Sequence, residues 1–242
     1  MYTISFANPK GGSGKTTAAL LLAEQIAVSG GSVAVVDLDP NANIKAWHDV
    51  REKDGRKTPF EVHDRPAADD TVDVIDVLSR KVDYLILDLE GSKDQMVTYA
   101  LSRTDLCIIP MDGSPMEARQ AAQAVRLVKT TSQMIRRDID HILLFTRTLA
   151  AFLSSDERDV KAEMNEHGIP SLAVRLAKRS PYTRMFRDNL MLSEIRKQVA
   201  EEGKGMTVSA REKSMKQIDG AIQNAEQYAQ AVVNVLVARE AA

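Results

Sequence analysis

The sequence predicts an α/β fold, a doubly wound and mostly parallel sheet with helices on both faces, and three observations carry that expectation. The strand-like runs Thr3–Ala7, Ser32–Leu38, Tyr84–Leu89, Leu106–Pro110 and His141–Thr146 are continuously apolar and rich in β-branched residues. Runs of that kind belong to strands buried on both sides. Helix-like segments near 15–29, 41–54, 69–80, 93–102, 115–136 and 155–167 lie between them, the alternation that gives parallel strands joined by crossovers. Between the first strand and the first helix stands Lys10-Gly11-Gly12-Ser13-Gly14-Lys15-Thr16-Thr17, a glycine-rich phosphate-binding loop.

The remaining elements follow in order. Residues 51–70 are polar and broken by Gly and Pro, which predicts a surface loop. From about Ser209, Met215, Ile218, Ile222, Ala225, Ala229, Val232, Val233 and Leu236 recur at helical spacing, predicting a long C-terminal helix packed back on the domain. With 242 residues, 44% hydrophobic and 27% charged, the chain suits one domain over 1–242. No apolar run approaches the roughly 20 residues of a membrane span, and a cytoplasmic protein is expected. The single cysteine, Cys107, excludes an internal disulfide and a cysteine-based metal site within one chain, and its apolar surroundings predict a buried thiol. His48, His63, His141 and His167 lack metal-ligand spacing, and Trp47 reads as packing.

The loop implies specific chemistry. Backbone N–H groups of a tight glycine turn and the positive end of the following helix cradle phosphate oxygens. Lys15 is placed to reach the β- and γ-phosphates, and the Thr16 hydroxyl to sit on Mg²⁺. The usual G-x-x-x-x-G-K-[ST] pattern is not fully met, because Pro9 stands where the first glycine is expected and a second lysine, Lys10, follows it. Two acidic sites end predicted strands downstream: Asp37-Leu38-Asp39-Pro40, and Asp88 closing Tyr84-Leu85-Ile86-Leu87, as in a Walker B strand whose carboxylate holds Mg²⁺.

Lys10-Gly-Gly-Ser-Gly-Lys-Thr-Thr17 with Asp37-Leu-Asp39-Pro resembles the deviant Walker A ATPases of the ParA/MinD family, in the order of elements along nearly the whole chain. The resemblance implies an ATP- and Mg²⁺-dependent ATPase in which Lys10 crosses a homodimer to touch the partner's phosphates. It implies Asp39 as the residue that positions the attacking water, Asp37 and Asp88 as supports for Mg²⁺, and Gly11, Gly12, Ser13, Gly14 and Thr17 as nucleotide contacts. Arg147 resembles the position near the adenine. The chain departs from the pattern after Asp88, where Leu89-Glu90-Gly91-Ser92 replaces a proline-rich switch. There Gly91 is expected to lend flexibility and Glu90 to be solvated.

Within that family the cysteine count argues against the iron–sulfur relatives, and Arg239 as the sole base in the last 25 residues argues against a membrane-docking tail. With the loop beginning at residue 10, no operator-reading helix-turn-helix is expected ahead of it. The short ParA type, which coats double-stranded DNA without reading sequence, remains. Charge points the same way: residues 1–170 hold 20 Lys+Arg against 26 Asp+Glu, whereas 171–217 hold 11 against 5. Arg175, Lys178, Arg179, Arg184, Arg187, Arg196, Lys197, Lys204, Arg211, Lys213 and Lys216 make up that basic block, a candidate DNA surface. The expected function is nucleoid-associated positioning or segregation of a DNA cargo such as a plasmid, with a ParB-like or cargo-adaptor protein stimulating hydrolysis. The alternatives are a virulence-plasmid ParA-like role in DNA processing and transfer, and a dethiobiotin-synthetase-like ligase.

Overall fold

The computed structural model describes residues 1–91, 95–150, 152–202 and 207–240. Seven strands, β1 (Tyr2–Phe6), β2 (Val33–Asp37), β3 (Glu61–His63), β4 (Tyr84–Asp88), β5 (Leu106–Met111), β6 (Asp140–Thr148) and β7 (Leu176–Ala177), form one sheet in the order β3-β2-β4-β1-β5-β6-β7. Every pairing is parallel. The helices are α1 (Lys15–Val28), α2 (Asn43–Lys53), α3 (Thr71–Ser79), α4 (Gln95–Ser102), α5 (Pro115–Ile135), α6 (Ser155–Glu166), α7 (Ser180–Arg187), α8 (Leu192–Glu202) and α9 (Val208–Glu240).

Period-two alternation deals the strand residues to two cores. Ile4, Phe6, Val35, Ile86 and Ile108 face a layer containing α1, α8 and α9, while Ala34, Val36, Leu87, Cys107 and Ile109 face a layer containing α3, α4, α5 and α6. Helix α1 is apolar all round from Ala18 to Ala23 and every one of those residues is buried. A helix of that kind needs cover on its outer side, and α9 supplies it by packing along α1 and α8 with Ile218, Ala225, Val232 and Leu236 inward. The expected core thiol and the C-terminal helix are both observed.

The segment 51–70 is not a plain surface loop. Arg51 is fully buried and pairs with Glu194 at 2.5 Å, donates to the carbonyls of Lys57 and Asn189, and lies over the Trp47 ring. Trp47 stacks on Phe60 and donates its indole N–H to the Met185 carbonyl at 2.9 Å. Glu61–His63 then adds edge strand β3, and a short 3-10 turn at Ala68–Asp70 leads into α3. Charge made this stretch look like loop, yet its arginine and the aromatic pair tie α2 and β3 to α7 and α8. Strand β7 and helices α7 and α8 were not expected, although Tyr182, Met185 and Phe186, and then Leu192, Ile195 and Val199, recur at helical spacing. Ser92, the start of the helix expected at 93 and Lys204 lie outside the described residues.

Candidate nucleotide site

Parallel strands place their C-terminal ends on one edge, and the loop of residues 9–14 sits there between β1 and α1. Gly12 and Gly14 have φ of 77° and 99°, left-handed values that exclude most side chains. A Cβ on Gly14 would also stand 3.3 Å from Thr146, whose hydroxyl donates to the Ser13 carbonyl at 2.8 Å and so ties the loop to β6. Asn8 ties the other side: its amide donates to the Pro110 carbonyl at 2.7 Å and its oxygen accepts from the Lys10 N–H at 2.9 Å.

Lys15 is buried beneath the loop, its ammonium donating to the carbonyls of Asn8 (3.0 Å) and Lys10 (3.4 Å). Burial lowers its pKa, while Asp88, Asp39 and Glu90 work to keep it charged. Asp88 is 1% exposed, and both of its carboxylate oxygens are buried with no partner in hydrogen-bonding geometry. Burial pushes its pKa up to about 7 and Asp37 adds to the rise; the Thr16 hydroxyl and the Lys15 ammonium work the other way. Two unmatched carboxylate oxygens beside a hydroxyl form the donor set a hard divalent cation prefers, so these residues fit Mg²⁺.

Asp37 stands beside Asp88 in register but is engaged differently. One oxygen accepts from the Ile44 and Lys45 N–H groups at 2.8 and 3.0 Å, and the other from Asp39 N–H at 3.3 Å. It therefore caps α2, whose preceding residue Ala42 is held at φ 46°. Burial raises its pKa against those three N–H groups. Asp39 lies at the mouth, half-buried, and one oxygen accepts from the backbone and side-chain amides of Asn41 at 2.9 and 2.8 Å.

Lys10 is not free. Its ammonium lies 2.5 Å from the Glu117 carboxylate, which is 1% exposed and whose other oxygen accepts from Asp112 N–H at 2.9 Å. The sequence reading missed Glu117, although Ser114-Pro115-Met116-Glu117 at the start of α5 has capping-box form and the Ser114 hydroxyl accepts from the Glu117 N–H. Gly91 has a steric role that the sequence reading did not foresee. A Cβ there would stand 2.8 Å from the Pro9 carbonyl, so glycine is needed to let the segment after β4 touch the phosphate loop. Glu90 is half-buried and 3.8 Å from Arg65 rather than simply solvated.

Arg147 sits in the irregular register between Thr146 and Thr148 with φ 55°, and this bulge aims its guanidinium at Gly12. Beside it, next to Gly14 and Thr17, opens a cavity of about 450 Å³ lined by Lys178, Arg179, Tyr182 and Phe186, large enough for a nucleoside. Two residues of the basic block therefore border the nucleotide end. Others are matched internally: Arg175 pairs with buried Glu157, Arg184 and Arg187 with Asp188, and Arg196 with Asp219. Arg211 donates to the Ala200 carbonyl, and Lys213 and Lys216 are exposed.

The sequence matches the VirC1 protein family over residues 1–238. The chain belongs to the VirC1 family. It is 31% identical over 186 residues to protein ParA of Rhizobium radiobacter, covering 77% of this chain and 82% of that protein. To protein virC1 of Rhizobium rhizogenes it is 24% identical over 217 residues, 80% and 93% of the two chains. A plasmid partition protein of Borrelia burgdorferi B31 bound to AMPPNP has the same fold, with a TM-score of 0.67 at 16% identity over 96% of this chain and 98% of that one. This VirC1-family chain is thus a ParA/MinD-type P-loop protein, and no helix among its described residues is long and apolar enough to cross a membrane.

Proposed function

We propose that this protein is an ATP-dependent dimerising ATPase that binds DNA without sequence preference and positions or segregates a DNA cargo, with a partner protein stimulating hydrolysis. The single observation that carries the reading is the pairing of a buried Lys15 under a glycine loop with a buried Asp88 that has no partner for either oxygen. Polar groups left unmatched inside a protein are costly unless a ligand completes them.

In this reading the N–H groups of residues 11–17 and the Lys15 ammonium hold the ATP phosphates, Arg147 and the adjoining cavity face the nucleoside, and Thr16 and Asp88 hold Mg²⁺. The ion supplies charge neutralisation to the phosphates when bound. Asp39 orients the attacking water at the mouth, and Asp37 acts by fixing the start of α2 and so the placement of Asp39. Lys10 must leave Glu117 before it reaches a partner's nucleotide, which makes that ion pair a resting position in the monomer. Catalysis here is positioning and charge complementarity, with no covalent intermediate.

A second reading keeps the same chemistry and changes its use: assistance to conjugative or T-DNA-type DNA processing and transfer. The family match across residues 1–238 favours it. Both readings require DNA retention with ATP and release with ADP in gel shifts. Equal retention with either nucleotide overturns both, and neighbouring relaxase or secretion genes rather than a centromere-binding protein gene separate them.

A further inference from the structure

Helix α5 carries a charge pattern that net counting over residues 1–170 conceals. Between Pro115 and Arg137 the sequence holds Arg119, Arg126, Lys129, Arg136 and Arg137 against Glu117 alone. Glu117 is buried and committed to Lys10, so the exposed face of the helix has no acidic residue. Arg137 is spent on the carbonyls of Ser102 and Thr104. Arg119, Arg126, Lys129 and Arg136 are all exposed, and none makes a side-chain hydrogen bond or ion pair with the described residues.

Helical geometry lines up three of these four. Arg119 and Arg126 are seven residues apart and Lys129 is three beyond Arg126, so these three share one side of the helix, and Arg136 follows as its left-handed C-cap at φ 54°. At 1.5 Å per residue Arg119 to Lys129 spans about 15 Å, and Arg136 extends the row past the end of the helix. Between Arg119 and Gln133 the exposed non-basic positions are Gln123, Thr130 and Gln133, and no large apolar side chain is exposed there. The exposed Met116 and Met134 fall outside that stretch. Protein partners anchor on buried apolar or aromatic residues, which this stripe lacks, whereas a phosphate backbone needs cations and hydrogen-bond donors.

We infer that the exposed face of α5 is a surface for the phosphate backbone of duplex DNA, distinct from the 171–217 block. Helix α5 covers the sheet face opposite to α8 and α9, so the two surfaces are separate. This inference deepens the proposed DNA binding and rests on it. The surface reads no sequence, because a rigid row of cations meets phosphates rather than base edges.

The test is fluorescence anisotropy of a labelled duplex of about 30 bp with the full chain and ATP, titrated with salt. Three proteins are compared: wild type, an α5 variant (Arg119→Gln, Arg126→Gln, Lys129→Gln, Arg136→Gln) and a block variant (Lys197→Gln, Lys213→Gln, Lys216→Gln). Each phosphate contact adds about 0.9 to the log–log salt slope, so the α5 variant is expected to lower the slope by about 2–4 and affinity by about tenfold or more. Thermal unfolding reports on folding, and Arg126→Gln with Lys129→Gln provides a milder variant. A slope unchanged in the α5 variant but reduced in the block variant overturns this inference and leaves the DNA reading standing. Absence of wild-type DNA binding with ATP overturns both. Retained DNA binding with lost binding to polyglutamate overturns the inference in favour of an acidic protein partner.

Discussion

At the loop end of the sheet, Asp88 is buried with neither carboxylate oxygen matched; around α7 and α8 most charged groups find a protein partner, Glu24 Oε2 and Arg179 Nε being exceptions among the described residues. Asp88 has two unpartnered oxygens and Lys15 only loop carbonyls. Around α7 and α8, Arg51 meets Glu194, Arg184 and Arg187 share Asp188, and Trp47 finds the Met185 carbonyl. A site built for a ligand leaves its polar groups open, and a structural element closes its own. The same basic residues that composition assigns to a partner can therefore be occupied in holding the fold.

The largest expected effect breaks the open side. Lys15→Ala removes the ammonium under the loop and is expected to weaken ATP binding by about 100-fold or more, since charge-assisted hydrogen bonds are worth about 1.5–3 kcal/mol each. Calorimetry checks it, and unchanged affinity contradicts the site. On the closed side, Arg51→Ala leaves Glu194 and three neighbouring acceptors without their partner. Breaking such a pair costs about 3 kcal/mol or more, measurable by denaturant unfolding, while ATP affinity is expected to hold in the folded fraction.

A pH experiment sharpens the contrast where α1 meets α8. Glu24 is buried, accepts from the Leu192 N–H at 2.9 Å, and has its pKa raised to about 7 by burial, against the backbone N–H groups of Ser193 and Leu192. The native state thus holds a proton that the unfolded chain releases near 4.5. Stability contributed by this group is fully present below 4.5, falls as pH rises toward about 7, and is level above. Glu24→Gln is expected to flatten that fall, by about 3 kcal/mol at most, in melts compared at pH 5 and pH 8. The smallest effect belongs to Arg187→Ala: its exposed pair with Asp188 predicts an unchanged melting temperature.

How far the sequence could be read follows the same division. The strands, the phosphate loop, Asp37, Asp39, Asp88 and the C-terminal helix were legible because each is encoded by a local pattern: an apolar run, a glycine spacing, a carboxylate at a strand end, a helical period. Glu117, Asn8 and Thr146 were not, since their partners lie 107, 102 and 133 residues away. Arg51 looked like loop charge for the same reason, its partner lying 143 residues on. Gly91 was visible as a glycine, but its need to touch Pro9 arises only from the register of β1 beside β4. Averaging charge over 170 residues also hid the α5 cations behind acids on other elements.

Light scattering with ATP and Mg²⁺ tests most directly whether Lys10 leaves Glu117 to act across a dimer. Wild type is expected to double from its 26.7 kDa monomer, while Lys10→Ala binds ATP with calorimetric affinity close to wild type yet stays monomeric. A wild type that remains monomeric with ATP bound, or a Lys10→Ala protein that dimerises equally well, contradicts the account.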